Sequence, residues 1–255
     1  MEPRIQYAKT SDGVNIAVQT VGAGKPIIVT PPPFGHAELE WQLPEFRRWN
    51  ESLASTRMMV RYDRRGTGLS DRNVEDYSLE ALTRDIEAVV DSLGLDACDL
   101  FGVWASGPPC VAYAAYHPEH VSHLILWCSF ASGSDLMANP QMQTILKLSE
   151  MDWPLFTETL AHTMLGWPKG KAAQQYAELM RQSVSQAAFN AYLRAVVDLD
   201  IASLLPTLRV PTLVLHRRDL PMTGVDSARF LASQIPGALC SGVRHRHSAW
   251  LRSAQ

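Results

Sequence analysis

Short β-rich runs alternate with amphipathic helices along most of this chain, and that alternation constrains the fold more than any other feature. The runs fall at residues 14–21, 26–30, 58–62, 99–103, 123–128, 212–216 and 238–243. Between most of them, apolar residues recur at three- and four-residue spacing. Leu79, Leu82, Ile86, Val89, Val90 and Leu93 form such a stripe, with Ser78 as its N-cap and Gly94 just past its end. Glu80 and Arg84 add an i,i+4 pair on the solvated face. Apolar strands separated by helices predict an α/β domain whose largely parallel sheet is covered on both faces. The first two runs, joined without a helix, are expected to form an antiparallel entry to that sheet. A chain of 255 residues can bury about three quarters of its surface and needs no staple from disulfides or metals.

Between residues 134 and 205 the rhythm changes. Helical patterns at 141–149, 153–165, 171–183 and 185–199 follow one another with no strand between them. The expected organisation is therefore a core of residues 1–133 and 206–255 with a helical lid at 134–205. Such a lid would cover the C-terminal edge of the sheet, where open α/β sheets bind ligands. Met151, Trp153, Phe156, Met164 and Trp167 supply either its apolar underside or its own core.

Several function classes are excluded. The net charge is −3 without clustered Lys and Arg, so nucleic acid is not an expected partner. No apolar run approaches the roughly 20 residues of a membrane helix, and the first residues do not form a secretory signal. Cys98, Cys110, Cys128 and Cys240 lie far apart with no Cys-x-x-Cys, which fits free thiols in the cytoplasm. No cofactor is expected: Gly66-Thr-Gly68 lacks the Gly-Lys-Ser/Thr ending of a phosphate loop. No metal is expected at His117, His120 and His123, because Pro118 interrupts any helix there.

Four segments carry a family resemblance: Tyr62-Asp-Arg-Arg-Gly-Thr-Gly-Leu-Ser-Asp71, Leu100-Phe-Gly-Val-Trp-Ala-Ser-Gly-Pro108, His117-Pro-Glu-His-Val121 and Val210-Pro-Thr-Leu-Val-Leu-His216. In order and spacing the chain resembles the α/β-hydrolase superfamily, closest in type to modules found alone or fused to nucleotide-cyclase and regulator domains. The resemblance implies a sheet of about eight strands, a helical lid and a Ser–acid–His triad served by a backbone oxyanion hole. It also implies a last helix on the sheet, whereas only the residues 248–255 follow His247. A homodimer or a partner domain covering that C-terminal face is the corresponding expectation.

The family places Gly-x-Ser-x-Gly at the turn after residues 99–103. Alignment from His117-Pro118 puts Trp104 at the serine position and Ser106 at the second glycine. Indole cannot attack a carbonyl, so Trp104 is not a nucleophile. Ser106 shares its side of the strand if the strand runs two residues further, with Pro108 and Pro109 in the first helical turn. The other reading makes Ser106 an ordinary helix-start hydroxyl. The acid slot aligns with Leu220, with Asp219 beside it as either a shifted acid or a turn residue pairing with Arg217 or Arg218. Asp226 reads as a first-turn helix residue. His247 falls on the catalytic-histidine loop, with His245 two residues away. The backbone amides of Phe34, after Pro31-Pro-Pro33, and of Ala105 align with the oxyanion hole.

Three functions follow. One is an esterase-like hydrolase of small apolar acyl compounds using Ser106, His247 and Asp219. Another is a ligand-binding or sensory module that keeps the pocket (Trp104, Leu220, Trp153, Trp167) without the triad. The last is non-hydrolytic chemistry with His247 as a lone base. In each case the partner is a small apolar ester or carboxylate.

Overall fold

The computed structural model describes residues 4–165, 170–217 and 223–243. Eight strands form one sheet in the order β1-β2-β4-β3-β5-β6-β7-β8. They are β1 (Arg4–Lys9), β2 (Asn15–Val21), β3 (Pro26–Val29), β4 (Met58–Tyr62), β5 (Cys98–Val103), β6 (Val121–Trp127), β7 (Thr212–Arg217) and β8 (Leu239–Val243). From β4 to β8 every pairing is parallel. The antiparallel entry differs from the expected one. It is a β1–β2 hairpin, and β2 then pairs with β4 rather than β3. The crossover helix α1 (Pro44–Ala54) between β3 and β4 lets β4 insert between β2 and β3. β1 itself escaped the pattern because it is an edge strand with Tyr7 60% exposed, so its apolar face is short.

Helices α2 (Leu79–Leu93), α3 (Gly107–Tyr116) and α9 (Val225–Gln234) also cover the sheet. The Ser78 hydroxyl accepts the Ala81 amide of α2, and Gly94 closes that helix in the left-handed region at φ +60°. Its stripe of Leu82, Ile86, Val89 and Val90 is buried. Fully burying an aliphatic side chain of this kind is worth about 1.5–3 kcal/mol, so the stripe anchors α2 more firmly than propensity does.

Between β6 and β7 the described residues form five α-helices and no strand: α4 (Gly133–Met137), α5 (Pro140–Met151), α6 (Trp153–Leu165), α7 (Gly170–Ser183) and α8 (Gln186–Val197). The four longer ones coincide closely with the helical patterns read from sequence; short α4 was not among them. Their apolar cluster includes Phe156, Tyr176, Phe189 and Tyr192 and extends to Phe34 and Ala105, on the loops after β3 and β5. The insertion therefore sits over the C-terminal ends of the parallel strands. Among the described residues no helix is long and apolar enough to cross a membrane.

The segment after β4 ties these layers together. Arg65 is fully buried; its Nε donates to Asp85 at 2.8 Å and its terminal nitrogens reach Asp12 at 2.8 and 3.2 Å. Burial pushes the Asp85 carboxyl up, to about 6, against the pull of Arg65, while Arg65 holds Asp12 well below the usual carboxylate range. Arg64 lies over the Tyr192 ring at 3.5 Å, a cation–π contact that reaches into α8. Asp63 accepts the Ala37 amide at 2.7 Å and the Leu69 amide at 2.8 Å. Gly68 is at φ +53°, and a Cβ there would lie 2.1 Å from the Asp63 carboxylate, so only glycine closes this turn.

Two predictions follow from this segment. Asp85→Ala leaves Arg65 buried with half its partners, and removing one member of a buried pair costs roughly 3 kcal/mol or more; urea unfolding should register that loss. Burial lifts the Asp63 carboxyl to about 7, against the two amide bonds and Arg61, with Glu40 adding to the rise. A raised carboxyl favours folding in its protonated form, so its contribution is complete below the unfolded value of 3.8 and lost as pH rises through about 7. Between pH 5 and pH 8, wild-type stability should therefore fall by on the order of 2 kcal/mol more than that of Asp63→Asn. Parallel pH slopes for the two proteins would refute this.

Candidate functional site

Parallel strands β3, β5, β6 and β7 end at a common cavity of about 110 Å³. Val29 and Thr30 come from the end of β3, Val103 and Trp104 from β5, Trp127 and Cys128 from β6, and Arg217 from β7. The insertion closes it from above with Met142, Ile145 and Leu146 of α5, Phe156, Leu160 and Met164 of α6, Tyr176 of α7 and Phe189 of α8. Apolar walls with few polar groups at the C-terminal edge of a sheet are the expected form of a small-molecule site.

The turn from β5 into α3 forms one wall. Trp104 begins a short 3-10 turn, Trp104–Ser106, that leads directly into α3. Its φ of +50° lies in the left-handed region, which costs a non-glycine residue roughly 1–2 kcal/mol. Two contacts hold it there: the Ser129 hydroxyl donates to the Trp104 carbonyl at 3.0 Å, and the Gly107 amide donates to the same oxygen. The indole meets Phe130 edge-on with centroids 6.2 Å apart. Its N–H is sealed from solvent with no hydrogen-bond partner.

Ser106 stands at the N-terminus of α3, buried, and its hydroxyl donates to the Pro31 carbonyl. It is not among the residues lining the cavity. That bond staples the proline-rich loop after β3 to the start of α3. Phe34 lines the cavity and stacks on Phe189 with centroids 4.8 Å apart, and Ala105 is fully buried beneath the same cluster. Ala105 is the second residue of a helical start, where backbone N–H groups have no acceptor within the helix. Trp153 does not line the cavity. It stacks on Phe156 at 5.3 Å and packs against Phe189, behind the wall. Asp219, Leu220, His247 and Trp167 lie outside the described residues.

Among the described residues, nothing activates the cavity's hydroxyl and thiol groups. Thr30 Oγ1 donates to the Phe101 carbonyl at 3.0 Å. Burial pushes the Cys128 thiol up to about 11, despite the Arg217 charge and the Arg217 amide, which donates to its sulfur at 3.4 Å. The Tyr176 hydroxyl is raised by burial as well. Cys128, like Trp104, sits at φ +50°, so adjacent strands β5 and β6 each end on a left-handed residue facing the cavity. Strain of this kind clusters at ligand sites. Sequence reasoning missed Cys128, Arg217 and Arg61, which also lines the cavity and pairs with buried Glu40 at 2.6 Å. Their position at or near the end of a strand was the available signal. The shortest contacts of His117, His120 and His123 are to Glu87 at 3.3 Å, the Asp96 carbonyl at 3.0 Å and Asp99 at 2.8 Å, with Glu119 3.9 and 3.8 Å from His117 and His120.

The chain is similar to known proteins across this whole architecture. Residues 35–167, just over half of the chain, match the family described as alpha/beta hydrolase fold. The AB hydrolase superfamily protein YisY of Bacillus subtilis is 28% identical over 238 residues, covering 88% of this chain and 85% of that protein. Among solved structures, an esterase from Exiguobacterium antarcticum superposes with a TM-score of 0.79 at 19% identity, covering 93% of this chain and 90% of that one. Est816, described as an N-acyl homoserine lactone degrading enzyme, reaches 0.77 at 22% identity, with 94% and 92% covered. At those identities the structures speak for the fold alone. With its strand order, its strand-to-helix turn after β5 and the matched segment agreeing, the chain belongs to the α/β-hydrolase fold family.

Proposed function

We propose that this protein binds a small apolar ester or carboxylate without cleaving it, as a ligand-binding or sensory module in which the family's pocket persists and its nucleophile does not. One observation carries this reading: the left-handed turn after β5 presents an indole to the cavity, while the hydroxyl of Ser106, the serine of that turn, is committed to the Pro31 carbonyl. The Phe34 and Ala105 amides would hold a ligand oxygen, since such donors act on an acceptor whether or not a nucleophile is present. The helical insertion acts as the lid over the bound molecule. The protein works in the cytoplasm, where its four free thiols stay reduced, with a second copy or a partner domain on the C-terminal face of the sheet.

A second reading has family membership in its favour, since relatives carry hydrolase and esterase names. It makes the protein an atypical carboxylic ester hydrolase in which Ser106 attacks, His247 takes its proton and Asp219 orients the base. That route requires the Ser106 hydroxyl to leave Pro31 and turn into the cavity.

Short p-nitrophenyl esters offered to wild type, Ser106→Ala and His247→Ala separate the readings. The binding reading expects no turnover above buffer in any of them, and a raised melting temperature for wild type with a small apolar carboxylate. Turnover abolished in both variants would replace it with the esterase. Turnover lost only in His247→Ala would point instead to a lone general base.

A further inference from the structure

Among the polar side chains that line the cavity, Tyr176 of α7 stands apart. The Thr30 hydroxyl donates to the Phe101 carbonyl, Arg61 is paired with Glu40, Arg217 donates to the Met164 carbonyl at 3.1 Å, and the Cys128 sulfur accepts the Arg217 amide. The Trp104 indole nitrogen is sealed off, beyond the reach of any occupant. The Tyr176 hydroxyl makes no hydrogen bond among the described residues, yet its oxygen is not one of the sealed unpaired atoms. It therefore keeps accessible surface. In a residue only 3% exposed, that surface belongs to the cavity the residue lines. The Phe46 ring of α1, with centroids 5.3 Å apart, holds the phenol in place.

Resting on the binding reading above, we infer that Tyr176 is a ligand-anchoring residue and that the preferred occupant is an uncharged ester, one oxygen of which accepts the Tyr176 hydroxyl hydrogen. Burial keeps the phenol protonated, with the Glu40 charge adding to that effect and Arg61 opposing it, so the hydroxyl is a standing donor. The two charges near it are joined in one ion pair and leave little net field to attract an anion. A carboxylate would leave water for apolar walls whose guanidinium groups are already engaged, and a buried charge without a matching partner is strongly disfavoured. An ester gives up far less hydration and still offers an acceptor. Size limits the class further: an apolar cavity of roughly 150 Å³ takes benzene, so about 110 Å³ suits a ligand of about six non-hydrogen atoms.

The test titrates methyl propanoate and butanoate, which have equal numbers of non-hydrogen atoms, into 15N-labelled wild type and Tyr176→Phe, with cyclopentane as an oxygen-free control. At neutral pH wild type should bind the ester about tenfold tighter than the acid, or better, because only the acid buries a charge. Tyr176→Phe should weaken the ester by about fivefold, the worth of one hydrogen bond, and leave cyclopentane binding unchanged. Without ligand its melting temperature should not fall, since the lost hydroxyl has no partner in the fold. Undiminished ester binding by the variant, butanoate bound as tightly as the ester by wild type, or a variant that melts several degrees lower overturns the inference. The wild-type contrast between ester and acid decides even where the variant does not fold. Release of propanoate from methyl propanoate by wild type defeats the binding reading and the inference with it, whereas intact ester bound equally by both proteins defeats the inference alone.

Discussion

The chain turns from β5 into α3 through one left-handed residue, and the walls of the cavity take their places from that turn. It closes because two glycines meet: a Cβ on Gly102 would stand 2.9 Å from the Gly107 Cα, so the helix can lie back on its own strand only while both are bare. Gly107 also admits Ser129, whose hydroxyl oxygen would lie 1.9 Å from a Cβ there. Ser129 in turn holds the Trp104 carbonyl. The end of β6 is thereby pulled against the start of α3, and Cys128, Trp104 and the proline-rich loop held by Ser106 converge on one space. Trp104 keeps a backbone conformation that glycine would adopt at no cost, and the surrounding contacts offset the difference.

This turn was legible in the sequence through the family resemblance: alignment from His117-Pro118 put residue 104 at the end of the strand and the start of the helix, where it stands. α2 was legible because its demands are local: cap, stripe and terminal glycine all lie within one short segment. β1 was not, since an exposed edge strand has little apolar face to announce it. The pairing of β2 with β4 was not either, because a crossover helix decides it and the run itself does not.

The candidate site was readable only in part, and the boundary is physical. That an indole stands at the turn followed from counting residues. That its N–H has no partner, that Ser106 is bonded to Pro31, and that Arg217 faces the same space all depend on segments 25 to more than 100 residues apart in sequence. Arg217 drew notice only as a neighbour of Asp219, although its place at the end of β7 gave it the same standing as any residue at that edge. Trp153 was named for the pocket because lid aromatics have two faces to choose from. Packing against Phe156 and Phe189 puts it on the far side.

A cavity with almost wholly apolar walls has two consequences that point the same way. It disfavours any charged nucleophile: with the Cys128 thiol at about 11, only about one molecule in ten thousand would carry a thiolate at pH 7. The same low dielectric strengthens a hydrogen bond from a fixed donor to a bound acceptor. Activating an oxygen or sulfur here would call for a charged base close by, and desolvating that base would carry its own penalty. On the binding reading, holding a ligand needs only backbone donors, the amides that begin α3. The sheet beneath keeps its own core, with Leu100, Leu124, Leu126 and Val214 in a cluster separate from the one that holds Trp104 and Ala105. On the binding reading, this α/β-hydrolase fold exchanges its attacking group for a binding group at a single turn while its strand order is kept.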